Sequence, residues 1–220
     1  MIKVIISGYG KMGHMVEEEL QNRSIELVAA SEDITATPKD VARECVCIDF
    51  TTPEAFRKNY PFIAQNFKAA VIGTTGWNDI KGQVIRAFED AGTPMIYASN
   101  FSLGVNALYL AITKASEILK GTGYTPQIEE IHHIHKLDAP SGTAKTMGEI
   151  VEAELGIKPE ITSIREGEVP GIHTLTLTSG CDKLTLRHEA FSREGFAKGA
   201  VVAAIKTEGL EGVHEFSDLL

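Results

Sequence analysis

The sequence is poor in cysteine, in positive charge and in long apolar runs. Its 220 residues carry 21 Lys and Arg against 30 Asp and Glu, which gives a formal net charge of −9. A nucleic-acid binder usually presents a basic surface, so this balance argues against nucleic acid as a partner. No apolar stretch reaches the roughly 18 residues of a membrane span, and we expect no membrane partner. The first residues read directly as a strand, so we expect no signal peptide.

Only three cysteines occur, Cys45, Cys47 and Cys181. Such a sparse, odd set is not a disulfide framework, and we expect reduced thiols in a cytoplasmic protein. Cys45 and Cys47 share one apolar run, and we expect their side chains on opposite faces of a strand. A thioester-forming aldehyde dehydrogenase is excluded, because none of the three follows a Gly-rich turn at the carboxyl end of a strand.

The first hundred residues alternate short apolar runs with helical patterns. This alternation predicts a doubly wound, Rossmann-type parallel sheet of the α/β class, covered on both faces. The apolar runs are Ile2–Ser7, Ile25–Ala30, Cys45–Phe50, Ala69–Thr74 and Met95–Ser99, and the helical stretches are Lys11–Arg23, Pro53–Asn66 and Asp79–Ala91.

The pattern changes after Asn106 to an α+β arrangement on an open mixed sheet. We therefore predict a dinucleotide-binding domain over residues 1–104, rejoined by 209–220, and a substrate-binding and oligomerisation domain over 105–208. Thr residues alternate with Leu in His173–Ser179, so one strand face is either solvated or packed on another subunit. The predicted elements are helices Ala107–Lys120, Ser141–Leu155 and Arg193–Lys206, and strands Gln127–Ile134, Ile161–Arg165, His173–Ser179 and Lys183–Glu189.

A GxGxxG motif lies between the first strand and the first helix, which is the context that the dinucleotide fingerprint requires. Its glycines permit a tight turn, a close approach of the backbone to a pyrophosphate, and tight packing of helix on strand. The helix N-terminus adds free N–H groups. The predicted cofactor-binding residues here are Gly8, Tyr9, Gly10, Lys11, Met12 and Gly13.

The fingerprint also requires an acid at the end of the second strand, and Glu32 and Asp33 stand there. A carboxylate at that place accepts hydrogen bonds from the adenosine ribose; the alternative is a solvated loop acid. No Arg follows to meet a 2′-phosphate, although Lys11 in the glycine loop could reach one. We therefore expect NADH, NADPH or both as cofactor, with NADH used at least as well.

Two further motifs fall at carboxyl ends of predicted strands, where open α/β sheets bind their ligands. Each alone is little more than a turn signal, and their repeated placement is the informative feature. The residues concerned are Gly73, Thr74 and Thr75 in one motif and Ala98, Ser99, Asn100 and Phe101 in the other.

The most informative segment packs His132, His133, His135, Lys136 and Asp138 into seven positions. His and Lys supply positive charge and transferable protons. The three histidines and the Asp are also possible metal ligands, but Lys136 disfavours a bound cation, and we expect no metal. After Pro140, a helix start presents backbone N–H groups and hydroxyls to an anion. This anion cradle consists of Ser141, Gly142 and Thr143.

Together these motifs resemble the 4-hydroxy-tetrahydrodipicolinate reductase (dihydrodipicolinate reductase) family. The run HHIHKLDAPSGTA from His132 to Ala144 is similar to that family's signature at almost every position. The resemblance extends over nearly the whole chain. Its other matching runs are Gly8–Gly13, Ile48–Ala55, Gly73–Gly76, Ala98–Asn106, Arg165–His173 and His188–Ala200.

The resemblance implies reduction of 4-hydroxy-tetrahydrodipicolinate to tetrahydrodipicolinate in lysine and diaminopimelate biosynthesis, with hydride from nicotinamide C4. It implies His132 as proton donor or acceptor and Lys136 as proton donor. It further implies that His133, Gly142 and Thr143 hold substrate carboxylates, and that a homotetramer forms through the open sheet.

The chain departs from the family pattern in ways that leave its cofactor preference open. The loop after Asp33 and the stretch between Arg165 and Pro170 are short, and the glycine loop is one residue shorter than in longer relatives. Asp33 stands where some members have Arg. Another two-domain dehydrogenase, such as an amino-acid dehydrogenase, and a non-catalytic dinucleotide sensor remain alternatives. The His132–Ala144 run disfavours the first, and the intact His132 and Lys136 argue against the second.

Overall fold

The computed structural model describes residues 2–220, which form two compact units. The first unit contains residues 2–102 and Phe196–Leu220, and the second contains Leu103–Gly195. The chain thus returns to the first unit at Phe196, and not at residue 209 as the sequence suggested. The reason lies in the last helix, whose Ala and Val side chains are buried in the core of the first unit.

The first unit is built on a six-stranded sheet in which every strand pair is parallel. The strand order is β10-β5-β4-β3-β1-β2, which confirms the doubly wound, Rossmann-type prediction. Its elements are β1 (Lys3–Ser7), α1 (Lys11–Asn22), β2 (Glu26–Ser31), α2 (Lys39–Ala42), β3 (Cys45–Asp49), α3 (Pro53–Asn66), β4 (Ala69–Ile72), α4 (Lys81–Ala91), β5 (Met95–Tyr97) and β10 (Val213–Glu215).

Alternate side chains of each central strand enter one of two apolar layers. In β1, Val4 and Ile6 join the layer that also holds the last helix, α7 (Glu194–Lys206), whereas Ile5 joins the opposite layer. Cys45 and Cys47 both lie in the layer of Ile5, so the expectation of opposite faces was wrong. Residues two apart in a strand share a face, because side chains alternate with a period of two.

The register brings the carboxyl ends of the central strands together. Ser7 pairs with Asp49, Asp49 with Ile72, and Ile72 with Tyr97. The glycine motif and both motifs that follow β4 and β5 therefore lie along one edge of the sheet, as the sequence predicted. This is the edge at which open parallel sheets bind ligands.

The second unit is a mixed four-stranded sheet in the order β7-β6-β8-β9, with β6 parallel to β7 and antiparallel to β8. Its helices and one sheet face share a core that includes Ile128, Met147 and Leu175. Thr174 and Thr176 lie half-exposed on the other face, which agrees with the predicted half-exposed strand. The elements are α5 (Leu103–Leu119), β6 (Thr125–His132), α6 (Gly142–Leu155), β7 (Glu160–Arg165), β8 (Ile172–Thr178) and β9 (Lys183–Glu189).

The start of α6 follows from local chemistry. The Ser141 hydroxyl accepts a hydrogen bond from the backbone N–H of Ala144 at 3.2 Å, which caps the helix. The preceding Ala139–Pro140 peptide bond is cis. The helix ends at Leu155, and the next residue, Gly156, has the left-handed conformation common after helix ends, with a φ of 81°. Among residues 2–220, no helix is long and apolar enough to cross a membrane.

Candidate functional site

The glycine turn between β1 and α1 combines two closely packed glycines with one that is open. A Cβ on Gly8, whose φ is +87°, would lie 2.6 Å from the Phe50 carbonyl oxygen, and one on Gly13 would lie 2.5 Å from the Gly8 carbonyl oxygen. Around Gly10, by contrast, no atom lies within 4 Å of such a Cβ, so its backbone is open to a ligand. Gly10 precedes α1 and has no side chain to cap it, which leaves the first amides of the helix available.

The two candidate ribose acids differ in what they contact. Both lie exposed after β2, but Asp33 Oδ1 accepts hydrogen bonds from the Thr35 backbone N–H at 3.1 Å and the Thr35 hydroxyl at 2.6 Å. Asp33 thereby caps the short turn Ile34–Ala36. The carboxylate of Glu32 is the one that the turn does not use.

The motifs after β4 and β5 divide into exposed and buried members. Thr75 and Ser99 are exposed at the sheet edge, whereas Thr74 and Ala98 are buried. Asn100 accepts a hydrogen bond from the Ser102 backbone N–H at 2.8 Å. The Phe101 ring packs in the core against Phe216, with ring centroids 5.0 Å apart, so Phe101 offers a ligand only its backbone.

Gly73 allows two neighbouring turns to approach closely. A Cβ at Gly73 would lie 2.1 Å from the Phe50 ring. In the turn after β3, the Thr51 backbone N–H donates a hydrogen bond of 2.7 Å to Thr74 Oγ1 in the turn after β4. The turns after β3 and β4 therefore form one packed surface beside the glycine loop.

In the second unit, a buried carboxylate and imidazole lie side by side on β6. Glu130 and His132 are two residues apart, so both point to the covered face of the sheet, where they are 0% and 6% exposed. Glu130 Oε2 contacts His132 Nδ1 directly, and Glu130 Oε1 lies 2.9 Å from the Arg165 guanidinium. Burial opposes ionisation, but hydrogen bonds from Ser163 and Arg165 and the positive charges nearby outweigh it and lower the pKa of Glu130.

The next strand adds a second imidazole. His173 lies opposite Glu130 in the β6–β8 register, and its ring centroid is 5.0 Å from that of His132 in an edge-to-face arrangement. Burial, and then the proximity of His132, lower the pKa of His173 to about 4, so this ring is neutral near pH 7. Burial also lowers the pKa of His132, against the opposing charge of Glu130. His188 of β9 pairs with His173 and completes the row of histidines.

The loop between β6 and α6 is fixed by Arg165. Its guanidinium donates to the backbone carbonyls of Lys136 at 3.2 Å and Asp138 at 2.6 Å. The Lys136 ammonium lies 2.7 Å from Asp138 Oδ1, which lowers the pKa of that carboxyl. His133 is half-buried, and its backbone N–H donates to Val169 at 2.8 Å. The outer His135 is exposed and pairs with Glu168.

The anion cradle is tied to the same carboxylate. The Ser141 backbone N–H donates to Glu130 Oε1 at 3.3 Å, and the Ser141 hydroxyl lies 3.3 Å from His173 Nε2. Gly142 is exposed and a Cβ there would meet nothing within 4 Å, so the cradle is open. The Thr143 hydroxyl bonds to Tyr109, whose pKa burial raises.

Three of these groups could in principle hold a metal ion. Ligand atoms of Glu130, His132 and His173 lie within 4.8 Å of one another. This set differs from the histidines and Asp138 that the sequence suggested. The Arg165 guanidinium already occupies one oxygen of Glu130, and Lys136 adds positive charge, so we interpret the cluster as a hydrogen-bonded network and not as a metal centre.

Sequence reasoning missed Glu130, Arg165 and His173 as members of this site. One signal was present, since Glu130 and His132 alternate on one strand and must share a face. Strand pairing brings the other two residues into the site: Arg165 pairs with His132, and His173 pairs with Glu130.

The first unit is a parallel Rossmann-type sheet with a glycine turn, and the second carries a buried histidine cluster. This combination defines a two-unit protein of the dinucleotide-binding class. The family described as "Dihydrodipicolinate reductase, N-terminus" matches residues 2–101, and "Dihydrodipicolinate reductase, C-terminus" matches residues 104–220. The chain therefore belongs to the dihydrodipicolinate reductase family.

Similar proteins agree with this assignment over the full chain. A 4-hydroxy-tetrahydrodipicolinate reductase of Christiangramia forsetii is 37% identical over 233 aligned positions, which cover 100% of this chain and 98% of that protein. One of Akkermansia muciniphila is 35% identical with the same coverage. The dipicolinate-bound dihydrodipicolinate reductase of Paenisporosarcina sp. TG-14 has the same fold, with a TM-score of 0.86, 23% identity and 100% of both chains covered.

Proposed function

We propose that the protein reduces 4-hydroxy-tetrahydrodipicolinate to tetrahydrodipicolinate with a nicotinamide cofactor, in lysine and diaminopimelate biosynthesis. One observation carries the proposal: a buried carboxylate–imidazole pair, Glu130 and His132, is hydrogen-bonded to an open helix start at Ser141, in a chain of this family. The site combines a proton-exchanging group with an anion cradle, which suits a small dicarboxylate. The first unit then serves as the dinucleotide-binding domain, and the second binds substrate.

The glycine turn fits a dinucleotide. The space around Gly10 admits a diphosphate to its backbone, while Gly8 and Gly13 are packed so closely that a Cβ would clash. We assign the diphosphate to the loop Gly8–Gly13 and the first amides of α1. A nicotinamide dinucleotide bound there would supply the hydride.

The adenosine ribose and the rest of the cofactor are assigned to the same sheet edge. Glu32 is our candidate for the ribose hydroxyls, because Asp33 is used by its own turn. An uncompensated carboxylate repels a 2′-phosphate, so we propose that NADH is used at least as well as NADPH, with Lys11 permitting some use of the latter. The remaining contacts are assigned to Gly73, Thr74, Thr75, Ala98, Ser99, Asn100 and Phe101.

Substrate binding and proton transfer are assigned to the second unit. The amides at Gly142 and the hydroxyl of Thr143 would hold one carboxylate, with Ser141 fixing the helix start, and His133 would help to hold the substrate. Lys136 would donate a proton from Nζ, and His132 would exchange one at its ring nitrogen.

We also propose that the open face of the second sheet builds a homotetramer. Thr174 and Thr176 lie half-exposed there, so a second copy of the chain packed on this face would cover both side chains. A cytoplasmic location is our accompanying expectation, supported by three free cysteines.

The decisive assay follows the oxidation of NADH and of NADPH while the product of dihydrodipicolinate synthase is supplied. We expect oxidation that requires both the protein and that product. If neither NADH nor NADPH is oxidised although the protein binds them, a non-catalytic dinucleotide sensor would be favoured. If the protein oxidises an amino acid with NAD⁺ but does not reduce the cyclic substrate, an amino-acid dehydrogenase would be favoured.

A further inference from the structure

A single carboxylate, that of Glu130, contacts both the imidazole of His132 and the anion cradle at Ser141. Glu130 is fully buried, and its two oxygens contact a guanidinium, an imidazole and the first amide of the anion cradle. A buried carboxylate is costly unless each oxygen meets a donor. Arg165 and Ser141 supply donors for Oε1, and Oε2 faces His132.

The contact with Oε2 dictates where the proton on His132 lies. A carboxylate only accepts hydrogen bonds, so Nδ1 must carry a hydrogen when it contacts Glu130. In the neutral ring the other nitrogen, Nε2, is then the unprotonated one. Nε2 lies beside Gly171, where a Cβ would be only 3.1 Å away, so a side chain at this position would crowd Nε2.

We propose that Glu130 is a positioning residue: it holds Nδ1 of His132 protonated, so that Nε2 is the atom that takes up and releases a proton, and it fixes the anion cradle through Ser141. The inference rests on the proposed function for its catalytic meaning, because His132 is a proton carrier only in that reaction. The tautomer itself is a property of the resting protein and can be measured without turnover.

Charged and titratable groups face His132 from every strand of the sheet and from the following loop. They oppose one another, because Glu130 favours the imidazolium, whereas the cations and the neighbouring imidazole disfavour it. Removing the Glu130 charge should therefore lower the pKa of His132. The groups are Glu130 of β6, Arg165 of β7, His173 of β8, His188 of β9 through His173, and Lys136 of the loop.

The first test is NMR of the histidine ring nitrogens in the intact wild-type protein near neutral pH, with His132 assigned by comparison with His132→Gln. We expect the resonances of an imidazole protonated at Nδ1. A ring protonated at Nε2, or one that exchanges between both tautomers, would overturn the proposal. This result needs no Glu130 variant and no activity.

The second test compares Glu130→Gln with Glu152→Gln, a matched change at an exposed position of α6. Where a histidine binds a metal, loss of the group that orients its ring typically costs 10- to 100-fold, and we take this range as the expected size of the effect here. We expect kcat of Glu130→Gln to fall by about that factor, with NADH affinity unchanged. Because the change lowers the pKa of His132, the loss of kcat with rising pH should begin about one pH unit lower than in the wild-type protein. Glu152→Gln should behave as wild type.

A folded Glu130→Gln variant with wild-type kcat and pH profile would overturn the role. If this variant does not fold, the His132 tautomer measured by NMR in the wild-type protein is by itself the test of the proposal. If the wild-type protein has no reductase activity, the proposed function fails, while the ring NMR still reports whether Glu130 fixes the tautomer.

Discussion

Thr74 donates its hydroxyl to the buried carboxylate of Asp49, and this bond joins the carboxyl ends of β4 and β3. Thr51 adds its own hydroxyl to Asp49 Oδ1 at 3.0 Å, and its backbone N–H donates to Thr74 at 2.7 Å. Burial raises the pKa of Asp49, and hydrogen bonds from Thr74, Ser7 and Thr51 oppose that effect. One side chain thus ties together the three turns that border the proposed cofactor site.

We expect Asp49→Asn to weaken both the fold and cofactor binding. An amide offers one acceptor where the carboxylate offers two, and its NH₂ group faces hydroxyls that must reorient. The loss should be about 1–3 kcal/mol in the free energy of unfolding, with a severalfold rise in the NADH dissociation constant. Urea unfolding measures the change in stability, and NADH fluorescence titration measures the change in the dissociation constant. Asp40→Asn, at an exposed position, is the control, and an Asp49 variant indistinguishable from it would refute the role.

The cofactor preference should depend on Glu32. Its carboxylate repels a 2′-phosphate, so Glu32→Gln should raise the ratio of kcat/KM for NADPH to that for NADH by about tenfold, which is roughly 1.4 kcal/mol. Asp33→Asn is the matched change. Its amide oxygen can still accept the hydrogen bonds from Thr35 that cap Ile34–Ala36, so stability should stay near wild type and the ratio should change less. The reverse pattern would assign the ribose to Asp33. A wild-type KM for NADPH more than about tenfold below that for NADH would contradict the assignment altogether.

Thr143→Val tests the anion cradle. The change removes a hydroxyl donor but keeps the side-chain shape, and a hydrogen bond to a charged group contributes about 1.5–3 kcal/mol. We expect kcat/KM to fall by about 10- to 150-fold, with cofactor affinity unchanged. Thr146→Val is the control, because Thr146 bonds to the same Tyr109 hydroxyl one turn along α6. Equal effects of the two changes would mean that Thr143 serves only Tyr109.

Lys136→Ala tests the proton donor. Positioned general-acid catalysis contributes typically 10²–10⁴-fold, so kcat should fall by about that factor. NADH affinity and the melting temperature should stay near wild type, since Lys136 pairs only with the exposed Asp138 through its side chain among the described contacts. Lys158→Ala, at an exposed position after α6, provides the comparison. Retention of more than about a third of wild-type kcat would remove Lys136 from the mechanism and leave His132 as the acid.

Stability should fall on mild acidification because of His173. Its pKa is lowered from 6.5 to about 4 in the folded protein, so between these values the unfolded chain binds a proton that the folded chain does not. The free energy of unfolding should therefore decrease as pH falls through this window, by about 3 kcal/mol in total. Urea unfolding between about pH 7 and pH 4.5 should give a flatter dependence for His173→Gln. His135→Gln, at an exposed histidine, should keep the wild-type slope.

The sequence was sufficient for the architecture and for the segments that carry chemistry, but not for the contacts between those segments. Apolar runs located β1 to β5, because a strand buried on both faces is almost continuously apolar. β10 was missed, because its three residues, Val213–Glu215, include a His and a Glu and form no apolar run. The position of His132 was evident, whereas its contacts with Arg165 and His173 depend on strand register over 33 and 41 positions of separation, which local patterns do not encode.

The first unit is assembled from two segments of chain with the whole of the second unit between them. During synthesis, β5 and the layer containing Val4 and Ile96 are made well before α7 and Phe216, which complete that layer. A nascent chain therefore carries an uncovered apolar sheet face and an unpaired β5 edge while its second unit already has every residue it needs. That sheet stays incomplete until the last 25 residues, Phe196–Leu220, have been made.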